Sequence, residues 1–224
     1  MLKTYEEKKL RIQNNIKEIG TNVIEALSLT LEALEDEDTA KLKKLDLSIK
    51  QISNKSNEID NLIVTTLALY SPEARDLREL VSYLKTTNEL VRAGANTKAF
   101  AKIFRKAYSQ DLDTKTILEY AIPLQKSAMN ALETAMQMVD ERDENAIDEK
   151  FQKVIVEESK TDDLYSMIEK NILKMISKNL ELSKDYFEIL SSLRKLEKTA
   201  DRAVSIANLL HFAEVGGDIE LPKK

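Results

Sequence analysis

The sequence predicts an all-α protein built as two tandem three-helix bundles related by internal duplication, six long antiparallel helices in all. Three observations carry this. The composition, with Gly 4, Pro 3, no Trp and 33% charged residues, is poor in turn formers and rich in residues that sustain helices. Apolar residues recur at helical spacing through long segments. The chain also repeats itself about 105 residues apart. Ala26-Leu27 pairs with Ala131-Leu132, Leu31 with Met136, Asp38 with Asp143, and Leu90-Val91-Arg92 with Leu196-Glu197-Lys198.

Each element has its own signal. Ile12, Ile16, Ile19, Val23, Leu27, Leu31 and Leu34 form one apolar stripe, which stops where Glu35-Asp36-Glu37-Asp38 breaks the pattern. A second helix is expected over 39–70. Ser71-Pro72-Glu73 then restarts the chain as an N-cap, a proline at the first helical position and an acid favoured by the helix dipole, opening a third helix to about Lys106. The run Tyr108-Ser109-Gln110-Asp111-Leu112-Asp113 has turn chemistry and no periodicity, so the boundary between the halves belongs there. The plan repeats with helices near 114–140, 143–177 and 183–213. The expected organisation is therefore a first bundle over 1–107, a second over 114–213, and a mobile tail over 214–224 that contains Gly216-Gly217 and Pro222. Short connections force neighbouring helices antiparallel.

Several function classes are disfavoured by composition. With no cysteine, the chain has no disulfide, thiolate metal site or Cys nucleophile. No stretch approaches the roughly 18 apolar residues of a membrane span, and the start Met1-Leu2-Lys3-Thr4-Tyr5-Glu6 lacks the apolar core of a signal peptide, which predicts a cytoplasmic protein. A net charge of -5 argues against a nucleic-acid binder. No Ser-His-Asp set or glycine-rich phosphate loop is present, and nothing points to a substrate-turning enzyme.

The chemistry that does stand out is carboxylate. Glu197 and Asp201 lie four apart on one helix face, with Ser205 continuing the row, and Glu158 and Asp162 show the same spacing in the preceding helix. In an antiparallel trio these rows can face each other. Four carboxylates without thiolate or imidazole favour a hard ion such as iron(III), manganese, magnesium or calcium. The bland alternative is a solvated row paired with Lys160, Lys195, Lys198 and Arg202. In the first copy Val91, Ala95 and Ala99 stand where the second has Glu197, Asp201 and Ser205, so any metal is expected on the second half only.

Two segments carry a family resemblance. Leu69-Tyr70-Ser71-Pro72-Glu73-Ala74-Arg75-Asp76-Leu77-Arg78, followed by Leu84-Lys85 and Glu89-Leu90-Val91-Arg92-Ala93-Gly94, resembles the entrance and third helix of the PhoU family. Leu196-Glu197-Lys198-Thr199-Ala200-Asp201-Arg202-Ala203-Val204-Ser205-Ile206-Ala207 resembles that family's signature helix, with Ser205 where the family commonly has Asn. The resemblance implies metal ligation by Glu197, Asp201 and Asp162, and the four-residue spacing alone adds Glu158. The resemblance also implies a negative regulator of phosphate uptake and of the phosphate-starvation response, an adaptor between the ATP-binding subunit of the phosphate ABC transporter and a phosphate-sensing histidine kinase. A homodimer, and a place at the inner membrane face through partners, are further expectations. Two alternatives stay open: an accessory protein of a secondary phosphate permease, and a di-metal carboxylate enzyme. The second is disfavoured because such bundles use Glu-x-x-His pairs and His211 is the only histidine.

Other residues have structural readings. His211 is expected in a dipole contact at the end of the last helix, Glu89 and Arg92 as an ion pair, and Asp76 and Arg78 as organisers of the third helix. Met129, Met136 and Met167 are expected in the core.

Overall fold

The computed structural model describes residues 2–45 and 49–217, and the long elements are all helices. They are α1 (Leu2–Glu35), α2 (Ile49–Tyr70), α3 (Ala74–Ala107), α4 (Thr114–Met136), α5 (Glu144–Lys178) and α6 (Ser183–Val215). Single 3₁₀ turns occupy Thr39–Lys44 and Leu180–Leu182. The all-α fold of two three-helix repeats is thus present. The most extensive packing in the molecule is between α3 and α6, and α1 packs on α4, so the two repeats share one core.

The internal repeat is visible in burial. Leu90, Gly94 and Phe104 on α3 stand at repeat-equivalent positions to Leu196, Ala200 and Leu210 on α6, and all are buried. Asp38 and Asp143, also equivalent, both act as N-caps, accepting from the backbone N–H of Ala40 at 2.9 Å and Ala146 at 2.8 Å. The α1 stripe lies inside: Ile12, Ile16, Ile19, Val23, Leu27 and Leu34 are all buried.

Several expectations need correction. The second helix does not run through 39–70; the Asp38 cap starts a 3₁₀ turn that ends at Lys44, and α2 begins at Ile49, with residues 46–48 outside the described residues. Ser71 caps nothing. It and Ala74 have positive φ of 45° and 39°, so the chain bends twice and α3 begins after Glu73, which makes no side-chain cap. The fourth helix stops at Met136 rather than 140. The last helix continues to Val215 before Gly216, at φ 87°, ends it in a conformation open to glycine. Glu214 and Val215 therefore belong to α6, and residues 218–224 of the expected tail lie outside the described residues. Met136 is buried and Met129 half-buried, but Met167 is 50% exposed on the outer face of α5.

The two helical glycines differ in what surrounds them. At Gly20 an added Cβ would meet the end of the Met136 side chain at 2.5 Å, so a larger residue there requires that flexible thioether to move aside. At Gly94 the nearest atoms, on Ile52 and Val23, are at 3.4 Å, an ordinary contact. Gly94→Ala is therefore expected to stabilise the protein by about 0.5–1 kcal/mol, the helix-propensity difference. Urea denaturation checks the sign; the equivalent position on α6 already holds Ala200.

Candidate functional sites: an acidic row and a buried ion-pair clasp

The acidic row sits where α5 covers α6. Glu197 and Asp201 project from the same face of α6 and are both buried, 3% and 5% exposed. Their repulsion is offset by Lys198, whose Nζ lies 2.8 Å from Asp201 Oδ2 and 3.4 Å from Glu197 Oε2. Arg194 approaches Glu197 at 3.2 Å while stacking over the Tyr165 ring of α5. Glu197 Oε2 nevertheless accepts no hydrogen bond. Burial pushes the Glu197 carboxyl above its usual range, and the charge of Asp201 pushes it further; Arg194 and Lys198 act against that, and Asp162 across on α5 adds to it. Asp162 is exposed, Glu158 is half-buried, and the buried acid of α5 is Glu157, paired to Lys160 at 2.7 Å.

Of the four acids picked out in the sequence, Glu197 and Asp201 share one face of α6, and the charge of Asp162 on α5 reaches Glu197. As the side chains stand, no three His, Cys, Asp or Glu among the described residues form a metal-holding group. The donor set fits a cation, and the cation nearest it is the Lys198 ammonium. The equivalent face of the first repeat, Val91, Ala95 and Ala99, offers no ligand.

Glu197 also gives a pH prediction. A carboxyl whose folded pKa is raised contributes stability below its ordinary pKa, and loses it as pH rises through the raised value. In metal-free buffer Glu197→Gln is expected to raise Tm at pH 7, with the gain shrinking as pH falls toward 4. A pH series of thermal melts for both proteins checks this.

A second charged cluster, not anticipated from the sequence, joins the repeats at one end of the bundle. Glu79 on α3 is 2% exposed. It forms an ion pair with Lys9 of α1 and another with Arg142 at 2.9 Å, and accepts a 2.6 Å hydrogen bond from the Tyr83 hydroxyl. Gln13 donates to Tyr83 at 2.8 Å. Arg142 also reaches Glu214 of α6 at 3.2 Å, and Arg75 pairs with the same carboxylate. Burial and the Glu79 charge raise the Tyr83 pKa. Burial lowers that of Lys9, but its bonds to Glu79 and Asp76 more than reverse this.

Arg142 is held in place by its loop. Glu141 accepts backbone hydrogen bonds from Arg142 at 2.9 Å and Asp143 at 3.1 Å while pairing with Lys150. Lys150 and those two N–H groups push the Glu141 carboxyl down to about 2. The sequence held a faint signal of this clasp: Glu79 and Glu214 occupy core-facing positions beside Leu80 and Ala213, where an acid needs a partner.

The structural readings of single residues fare unevenly. Glu89 pairs with Arg92 at 3.6 Å and, across the α3–α6 seam, with Arg202 at 3.0 Å. Asp76 pairs with Lys9 at 3.0 Å, tying the start of α3 to α1. Arg78 lies against Gly216 at the C-terminal end of α6. His211 is a turn short of the α6 end and pairs with Asp148 at 2.7 Å, its ring against Phe151, so it makes a contact across helices rather than one with the helix end. A cleft of about 440 Å³ between α1 and α2, beside the Glu18 and Lys55 ion pair, contains no nucleophile with a base. No helix among the described residues is long and apolar enough to cross a membrane.

Comparison with known proteins gives one consistent result. A family model described as the PhoU domain matches residues 16–104 and again 124–210, one match per repeat. The chain is 26% identical to the phosphate-specific transport system accessory protein PhoU homolog of Borreliella burgdorferi, over 89% of each chain. It is 23% identical to the phosphate-specific transport system accessory protein PhoU of Escherichia coli, over 95% of this chain and 88% of that protein. The crystal structure of the phosphate transport system regulatory protein PhoU from Streptococcus pneumoniae has the same fold, with a TM-score of 0.78 at 20% identity over 98% of this chain and 100% of that one.

Proposed function

The chain belongs to the PhoU family, and from that membership we propose that it is an accessory protein of phosphate transport acting as a negative regulator of phosphate uptake and of the phosphate-starvation response. The observation that supports this most is the double family match: both repeats are present, and relatives named as phosphate transport accessory proteins align over nearly the whole chain. The working part is a helical adaptor. One face docks the ATP-binding subunit of the phosphate ABC transporter and another the phosphate-sensing histidine kinase, which places the protein in the cytoplasm at the inner membrane face through its partners. Catalysis has no part in this reading.

Affinity capture on the tagged chain from phosphate-replete cells tests the adaptor. Recovery of the transporter ATPase together with the kinase supports it. Recovery of a secondary phosphate permease in their place would assign the chain to that system.

The metal reading belongs to the same proposal. Glu197 and Asp201, with Asp162 and Glu158 opposite, would hold a hard cation such as iron or manganese once Lys198 turned away, and the ion would supply positive charge to a carboxylate pair that burial now disfavours. Metal analysis of the purified protein beside Asp201→Ala is the check. Bound metal lost in the variant supports the site; equal, near-zero content in both removes it and leaves Lys198 as the permanent counter-ion.

A further inference from the structure

We propose that Lys198 is a built-in competitor for the cation position between Glu197 and Asp201, so that a metal ion binds there only by displacing the Lys198 ammonium, and the lysine sets how tightly the ion is held. This rests on the metal reading of the acidic row and adds what controls it. More than spacing marks the position: both carboxylates are buried, and Glu197 Oε2 accepts no hydrogen bond, the nearest ammonium standing 3.4 Å away. A carboxylate oxygen desolvated and unmet in this way is costly until a cation comes closer.

Three cations run beside those acids on α6, and each is held differently. Arg194, Lys198 and Arg202 recur every fourth residue. Arg194 pairs with Glu197 at 3.2 Å while its guanidinium lies over the Tyr165 ring of α5, 4.9 Å from the centroid. Arg202 is tied to Glu89 of α3 at 3.0 Å and approaches Asp201 only to 3.9 Å. Both arginines are thus fixed by another helix. Lys198 donates to Asp201 at 2.8 Å and lies more loosely against Glu197, and among the described residues it makes no hydrogen bond or ion pair to another helix. Of the three, Lys198 alone can leave the acids without breaking a polar contact between helices.

The first repeat shows where it would go. Arg92 stands at the position equivalent to Lys198, with Val91 and Ala95 in place of the acids, and its side chain is 62% exposed, with Glu89 at 3.6 Å. The same helix position therefore accommodates a long cationic side chain turned to water. Lys198 is already 26% exposed, and its charge rides on a flexible four-carbon stem, so the ammonium can be rehydrated without moving α6. Two cations cannot share Asp201 Oδ2 at bonding distance, because their repulsion in a partly buried site is strong. Metal entry and release of Lys198 are then one exchange, which leaves the two carboxylates paired with a cation in either state.

Titration of the full chain, freed of metal by a chelator, with manganese(II) tests this, the free ion being read by electron spin resonance. Lys198→Met is expected to bind about ten- to a hundredfold more tightly than the parent, the worth of the charged hydrogen bond that the ion no longer has to replace. Lys198→Arg keeps the charge and is expected to bind no more tightly, and Lys195→Met, which removes a neighbouring charge outside the row, to stay within about twofold of the parent. Unchanged helical circular dichroism confirms that the variants fold. A second readout needs no substitution: acetylation of Lys198 by acetic anhydride, followed by mass spectrometry, is expected to speed up severalfold at saturating manganese(II), with that of Lys195 unchanged. Tight binding by Lys198→Met where the parent binds none would also support the proposal, the lysine then excluding the ion entirely. Equal affinity of the parent and Lys198→Met, abolished in both by Asp201→Ala, would overturn it and leave the metal reading standing, as would bound manganese(II) that leaves Lys198 acetylation unchanged or slower. No binding by either protein would remove both.

Discussion

Arg142→Ala is expected to lower stability by about 3 kcal/mol in urea denaturation, a large effect for a residue in a loop. Glu79 and Glu214 are both almost fully buried, and Arg142 pairs with each. Removing it leaves two carboxylates short of a partner in a region where an uncompensated charge costs several kcal/mol. The figure stands at the low end for a buried pair because Lys9 still holds Glu79, Arg75 still holds Glu214, and Arg142 is itself 45% exposed on its solvent side. A second variant separates this cause from simple loss of packing. If stranded charge is responsible, Arg142→Ala combined with Glu79→Gln costs less than Arg142→Ala alone. If packing is responsible, the two losses add. The clasp joins α1, α3, the α4–α5 connection and α6, and so ties the two repeats together at that end of the bundle.

Leu90→Ala and Leu196→Ala are each expected to cost about 3 kcal/mol, within the range for a fully buried leucine that leaves a cavity. Both side chains are 0% exposed and occupy equivalent positions on the two third helices. The stronger expectation concerns cooperativity. Because α3 and α6 pack on each other more extensively than any other pair, neither repeat has a separate core, and the chain is expected to unfold in one transition that either substitution shifts as a whole. Coincident urea curves from fluorescence of the tyrosines and from helical circular dichroism check this. Two resolved transitions, with Leu196→Ala moving only one, would show independent repeats.

What the sequence disclosed follows from what periodicity can report. The stripe from Ile12 to Leu34 needed burial on one side, and the structure buries it. The duplication was legible because equivalent residues such as Leu90 and Leu196 fill equivalent places in one core. The errors lie where backbone conformation or tertiary geometry decides. Ser71-Pro72-Glu73 has the letters of a helix start, but positive φ at Ser71 and Ala74 moves the start past them. The run 39–70 has enough helix formers to look continuous, yet the Asp38 cap directs it into a 3₁₀ turn.

The same division holds for the sites. Spacing put Glu197 and Asp201 on one face correctly, since four residues make a turn. Spacing could not say that Lys198 would fold back between them, nor that Asp162 would stay exposed, because both depend on rotamers and on how α5 lies over α6. The clasp was harder still. Lys9, Glu79, Arg142 and Glu214 are scattered over the whole chain, and only the packing of four elements brings them together.

Phosphate uptake in phosphate-replete medium, in a strain lacking this gene and in the same strain with it restored, tests the regulatory reading most directly. The account predicts uptake that runs on without the gene and is held down again when the gene returns. Uptake that falls on deletion would contradict a brake and point to an accessory that supports transport.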